Sequence, residues 1–232
     1  MMRSVWVALA VCLWAAPGGA SPPDTLSAAG VLERVKDTFG RIEDYRVRIG
    51  VHVDIEGFPF PDREVALLYK RPARVHLEGG EFAMLPRQGV MADPSQLLDE
   101  DRFDVALSGL DNLGERPTYR LTLTSRADGR GEGRLIAWVD AERWVVVRME
   151  AFEGEDRQGV VRFEHALVAG RFWLPQRTDV EISMENLPMR PAPRDTSTVR
   201  QPEKGTIRLD FYDYEVNVGL PDSLFADPQM EK

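Results

Sequence analysis

Cysteine is nearly absent from this chain: Cys12 is the only one in 232 residues, and it lies near the start. A mature chain beginning at residue 21 has none, which excludes disulfides and thiol catalysis there. Lipid attachment at Cys12 is disfavoured, because a bulky Val11 precedes it and the run before it is short. Histidine is scarce too, with only His52, His76 and His165. No H-x-x-x-H or H-E-x-x-H spacing occurs, so no zinc or other metal site is expected. His52 alternates with the apolar positions around it and reads as solvent-facing. No G-x-S-x-G elbow, Walker loop or dinucleotide-binding glycine pattern is present. Gly129-Arg130-Gly131-Glu132-Gly133 precedes no helix and reads as a loop. The reading therefore calls for no cofactor.

Long apolar runs are missing as well. The one apolar stretch, Val5 to Ala16, is too short for a stable bilayer span of ~20 residues. Arg3 is the sole charge in the first 23 residues, and Gly18-Gly19-Ala20 closes the stretch with small residues. A charged start, a short apolar run and a small-residue exit describe a secretory signal peptide. Cleavage is expected after Ala20, with export to the periplasm; an uncleaved anchor is the alternative. Removing Arg3 takes the net charge from −9 to −10. That balance repels nucleic acid and suits a soluble monomer.

Residues 21–232 are long enough for one well-buried domain. Val31, Leu32, Val35, Phe39 and Ile42 follow a 3-4 spacing, which predicts one amphipathic helix from Ser27 to Glu43. After Asp44 the period becomes two. Tyr45, Val47, Ile49, Val51, Val53 and Ile55 alternate with Arg46, Arg48, Gly50, His52 and Asp54, a long strand with one wet face. A turn is expected at 57–62. Further strands are expected at 63–70, 74–77, 102–108, 117–125, 133–139, 144–152, 159–168, 171–184 and 205–214. A short strand at 82–85 and a helical turn at 94–100 are weaker expectations. Four prolines between 185 and 204 read as a mobile loop.

Hairpin succession without long crossovers predicts an antiparallel sheet. The fold class is α+β, mainly β: a strongly curved, unclosed sheet with the N-terminal helix in its concave face. Acidic clusters such as Asp99-Glu100-Asp101 and Glu153-Gly154-Glu155-Asp156 fall in predicted turns. A glycosidase would need paired carboxylates across a cleft, and solvated turns account for these better. The apolar material carries the functional clue. Ten one-sided strands supply more apolar face than one short helix covers. The sheet therefore packs on itself or leaves a cavity fit for a lipid or acyl chain.

Four segments, in order, resemble the LolA/LolB-like superfamily of outer-membrane lipoprotein-sorting proteins. They are Tyr69-Lys70-Arg71-Pro72-Ala73-Arg74-Val75-His76-Leu77-Glu78; Trp138-Val139-Asp140; Gly170-Arg171-Phe172-Trp173-Leu174-Pro175; and the run from Tyr212 to Asp222 with Asn217 and Gly219. The resemblance implies an unclosed barrel plugged by helices. It also implies carriage of lipid or lipoprotein acyl chains, with membrane-associated donor and acceptor proteins, or a lipid-sensing role. For the family's central helical lid only 94–100 offers a helix here, and its latching arginine finds no match.

The residues expected to line the cavity are Val47, Ile49, Val51, Val53, Leu67, Tyr69, Val75, Leu77, Leu121, Leu123, Val145, Val147, Met149, Ile207 and Leu209, with Val35 and Phe39 as its floor. Met84, Leu187 and Met189 are expected near its mouth. Ordinary core is the competing account of each. Two other functions compete: a lipid-sensing or protein-interaction module using the sheet edge or the 185–204 loop, and a hydrolase using surface carboxylates.

Overall fold

A computed structural model describes residues 26–55, 58–78, 98, 100–126, 133–183 and 204–225. The chain opens with helix α1 (Ala28–Gly40). Ser27 caps it, its side chain accepting the Gly30 amide at 3.1 Å. Its stripe of Val31, Leu32, Val35 and Phe39 is buried. The helix stops three residues before the expected Glu43, and a tertiary contact explains the difference. Asn217 Nδ2 donates to the Arg41 carbonyl (3.2 Å) and its Oδ1 accepts the Glu43 amide (2.8 Å). The C-terminal segment thus satisfies groups that another helical turn would have used.

Among the described residues eleven strands follow: β1 (Asp44–Ile55), β2 (Phe58–Pro59), β3 (Arg63–Lys70), β4 (Arg74–Glu78), β5 (Phe103–Leu113), β6 (Arg116–Ser125), β7 (Gly133–Asp140), β8 (Val146–Glu153), β9 (Asp156–Val168), β10 (Phe172–Ser183) and β11 (Lys204–Val216). All pairs are antiparallel, in the order β4-β3-β1-β11-β10-β9-β8-β7-β6-β5, with β2 set beside β1. The sheet is not closed. The expected class, a mainly β, unclosed antiparallel sheet with a helix, is the observed one.

Curvature follows from lengths. Ten strands about 4.8 Å apart would span about 43 Å if flat, whereas 13 helical residues span about 20 Å. Yet Phe39 packs with β1, β3, β10 and β11, while Val31, Leu32 and Val35 pack with β6, β7 and β8. One short helix reaches both halves only if the sheet curls around it.

Several boundaries depart from the alternation. β5 runs to Leu113, past the expected 108, because a register shift between Leu107 and Gly109 absorbs Ser108, with Gly109 at φ +129° beside it. Phe58–Pro59 pairs with β1 inside the expected turn. Trp144 sits in the β7–β8 turn at φ +58°, so β8 begins at Val146. A register shift between Trp138 and Val139 then places Val146 in the helix-side core. The expected strand at 82–85, Met84, Leu187, Met189 and the leader lie outside the described residues, as does the proline loop except Lys204. Of the helical turn at 94–100 only Leu98, fully buried, and Glu100, which pairs with Lys36 at 2.9 Å, are described.

Candidate functional site

Alternation places the inward side chains of adjacent strands in rungs across the concave face. Close to α1 these rungs are solid core. Val47, Ile49, Val51, Leu67, Tyr69 and Leu209 are at most 3 % exposed and share one cluster with Phe39. Val35, Leu121, Leu123 and Met149 belong to a second cluster, around the first half of the helix. Val145 and Val147 are also buried. Val53, Val75, Leu77 and Ile207 are half-buried against the first cluster. An aromatic group anchors that side: Tyr45 stacks on Tyr69 (5.3 Å), and Phe39 meets Tyr69 edge-on (5.5 Å). The Tyr214 hydroxyl donates to the Pro175 carbonyl (2.8 Å), and burial raises its pKa.

Space beneath the helix is small. Val35, Thr38, Phe39, Trp144, Val145, Val146, His165, Trp173, Leu174 and Pro175 surround a cavity of about 20 Å³, roughly one water's worth. His165 lies there, and burial lowers its pKa to about 4, against a smaller upward pull from Asp140.

Away from the helix the character changes. One rung runs Val53, Ile207, Val180, Val161, Met149, Ala137, Leu121, Leu107 across eight strands. The next runs Ile55, Gly205, Ile182, Gly159, Ala151, Leu135, Leu123, Val105. No polar side chain interrupts either. Val53, Ile207, Val180, Val161, Leu107, Ile182, Ala151, Leu135 and Val105 are only half-buried. The second rung is lowest at the adjacent Gly159 and Ala151, with Ile182 standing between Gly159 and Gly205. Gly159 is required there, since a Cβ would sit 2.8 Å from the Glu181 carbonyl. The arrangement is an apolar trough with a low middle, at the end of the sheet where β1, β4, β6, β8 and β10 finish.

Only Val53, Leu121, Leu123, Met149 and Ile207 of the sequence-chosen lining fall in these two rungs. Val161, Val180, Ile182, Leu135, Ala137, Leu107, Val105 and Ile55 were not chosen. Their apolar alternation was visible, but which end of each strand lies far from the helix was not.

The opposite face is polar. A cavity of about 590 Å³, which also takes in Val53, Val180 and Ile207 of the first rung, is lined chiefly by its charged side chains. They are paired with one another: Arg162 with Glu181 (2.6 Å), Arg208 with Asp179 (2.9 Å), His52 with Asp62 (3.0 Å). Such a lining does not suit an acyl chain. Among the described residues no cluster of His, Cys, Asp or Glu fits a metal ion.

No protein-family model matches the chain, and no curated protein matches it in sequence. Solved structures do match. A LolA superfamily protein from Nitrosomonas europaea superposes with a TM-score of 0.57 at 12 % identity, covering 88 % of this chain and 99 % of that one. This chain has the LolA-like fold. A DUF1329 family protein from Desulfovibrio piger gives 0.58 at 15 % identity, over 86 % and 97 % of the two chains. A domain assigned to outer membrane lipoprotein sorting, from Vibrio parahaemolyticus, gives 0.52 at 12 %, over 85 % and 97 %.

The motifs that resemble the LolA-like family sit at closures of this fold. Asp140 accepts the Glu142 and Arg143 amides, each at 2.9 Å, and shapes the β7–β8 turn. Gly170, at φ +64°, turns β9 into β10. Asp44 collects the amides of Val218, Gly219 and Leu220 at 2.9–3.2 Å. None of these contacts touches the trough.

Proposed function

We propose that this protein binds the acyl chains of a lipid or lipoprotein in its concave trough and carries them through the bacterial envelope as a non-enzymatic periplasmic binding protein. The observation that carries this reading is the run of half-buried apolar residues Val53, Ile207, Val180, Ile182, Val161 and Ala151 along two uninterrupted rungs. An acyl chain entering the trough leaves water, each buried CH₂ contributing ~0.8 kcal/mol. The solid core near α1 forms the wall behind it. Val35, Phe39, Val47, Ile49, Val51, Leu67, Tyr69, Leu121, Leu123, Val145, Val147, Met149 and Leu209 serve as that wall, while Val53 and Ile207 reach the ligand. The fold shared with a structure named for outer membrane lipoprotein sorting supports the reading. The leader ending at Ala20 supplies export, and residues 21–232 act as a single domain. Donor and acceptor are membrane-associated proteins.

The test is native mass spectrometry of the protein expressed with its own leader and purified without detergent, followed by organic extraction. A stoichiometric adduct that extracts as lipid or acylated peptide is the expected result. A bare mass, with no uptake of added acyl chains, overturns the reading and favours a packed protein-interaction module.

A further inference from the structure

On the polar face of the sheet guanidinium groups meet carboxylates: Arg48 pairs with Glu64, Arg177 with Asp210 (2.7 Å) and Arg162 with Glu181 (2.6 Å). Around the β7–β8 turn they lie over indoles instead. Arg34 sits 4.5 Å above Trp144, and Arg143 sits 4.3 Å above Trp173. Among the described residues neither Arg34 nor Arg143 meets a carboxylate. The Asp140 carboxylate of the same turn is engaged with main-chain amides. Trp144 holds φ +58°, a region costly for a bulky side chain. Glycine or asparagine would suit that backbone better, so the turn itself does not ask for tryptophan.

The neighbours of these two indoles extend the pattern. Trp144 stacks on Tyr119 (5.4 Å), and Tyr119 is the β6 partner of Leu110, which is 71 % exposed. Trp173 is the β10 partner of Leu167, which is 48 % exposed. Trp144 and Trp173 share the wall of the small cavity beneath the helix, which sets them side by side. A belt of apolar and aromatic side chains thus crosses from β5 to β10, at the end of the sheet where β5, β7, β9 and β11 finish. The trough lies at the other end.

We propose that this belt docks an acidic amphipathic helix of a partner protein. The belt runs across the strands, so it offers side chains and not a ladder of main-chain groups. Its occupant must satisfy its own backbone, as a helix does. Five strand spacings make about 24 Å if flat, the length of about 16 helical residues. Leucines toward both ends and indoles between them take the apolar face of that helix, with Trp, Tyr and Arg as the anchors. A guanidinium above a ring keeps its N–H edge open to a carboxylate, so acidic residues flank that face. A bilayer fits less well. Trp144, Trp173 and Tyr119 are half-buried, and the chain's net charge of −9 opposes an extended anionic surface more than a few local carboxylates. The proposal does not rest on the acyl-chain reading.

The test uses the protein expressed with its own leader and purified without detergent. The probes are a fluorescein-labelled helical peptide of about 16 residues, with leucines along one face flanked by glutamates, the same peptide with lysine for glutamate, and phosphatidylglycerol vesicles. Peptide binding is read by anisotropy, vesicle binding by flotation, and the indole N–H signals by NMR. The glutamate peptide should bind at least about tenfold tighter than the lysine peptide. The Trp144 and Trp173 signals should move, while Trp138, whose Nε1 donates to Asp111 at 3.1 Å, stays as a reference. Arg143→Glu should remove the preference for glutamate. Trp144→Asn, an exchange the φ +58° backbone accepts, should weaken both peptides about tenfold or more. Equal binding of the two peptides, no binding of either, unmoved Trp144 and Trp173 signals, or binding of vesicles alone overturns the proposal. Each of those outcomes leaves the trough reading standing, because that reading is tested by acyl-chain uptake.

Discussion

Asp44 offers the sharpest stability test. Its side chain is 4 % exposed and closes the C-terminal segment onto the start of β1. Oδ1 accepts from Val218 (2.9 Å) and Gly219 (3.2 Å), and Oδ2 from Gly219 (3.0 Å) and Leu220 (3.0 Å). The Asp44 carbonyl takes the Asn217 amide at 2.8 Å. Asn217 and Gly219 hold φ of +57° and +77° there, so the segment has little freedom to find other partners. Asp44→Ala strips acceptors from three main-chain amides. Hydrogen bonds to a charged group contribute about 1.5–3 kcal/mol each, and shared geometry makes three of them less than additive. A loss of about 3–5 kcal/mol follows, near 10 °C in Tm for a domain of this size. Asp44→Asn keeps one acceptor oxygen and should lose roughly half as much. Urea unfolding of the three proteins, with unchanged m-values, is the assay. An Asp44→Ala protein within 1 kcal/mol of the parent would refute the idea that this carboxylate fastens the fold.

Other expectations follow from the same contacts. His165 is held neutral by burial with its pKa lowered to about 4, so the unfolded chain binds the extra proton first. The His165 contribution should fall by about 3 kcal/mol as pH drops from about 6.5 to about 4 and then level off; across that window the urea midpoint of the parent should drop by correspondingly more than that of His165→Gln. Gly159→Ala pushes a methyl to 2.8 Å from the Glu181 carbonyl and should lose about 1–3 kcal/mol, seen as faster exchange of amides in β9 and β10. Ala151→Trp fills the low middle of the trough and should weaken acyl-chain uptake at least about tenfold with stability changed by less than about 2 kcal/mol. Ile49→Ala, in the solid core, should do the reverse, losing about 2–5 kcal/mol of stability while uptake persists.

The fold was more legible in the sequence than the site. A two-residue period from Tyr45 to Ile55 and a 3-4 stripe from Val31 to Phe39 act locally, so elements and faces could be read directly. Boundaries failed where a distant contact or a bulge intervened: Asn217 ends α1 early, and Gly109 lets β5 continue through apparent turn residues. The family-like motifs reported closures for the same reason, since Asp140, Gly170 and Asn217 meet demands of backbone geometry. The trough depends on where the helix lies along the strands. That is a matter of tertiary packing, so Val47 and Val180 look alike in sequence although one is sealed and the other half-buried.

The central claim is that acyl chains occupy the concave trough. Its most direct test is methyl NMR of residues 21–232 titrated with stearate carrying a nitroxide on its chain. The account predicts broadening concentrated at Val180, Ile182, Val161 and Ile207, with Val31 and Val47 sharp behind the helix. Broadening confined to the polar face around His52 and Arg208, or none at saturating stearate, would contradict it.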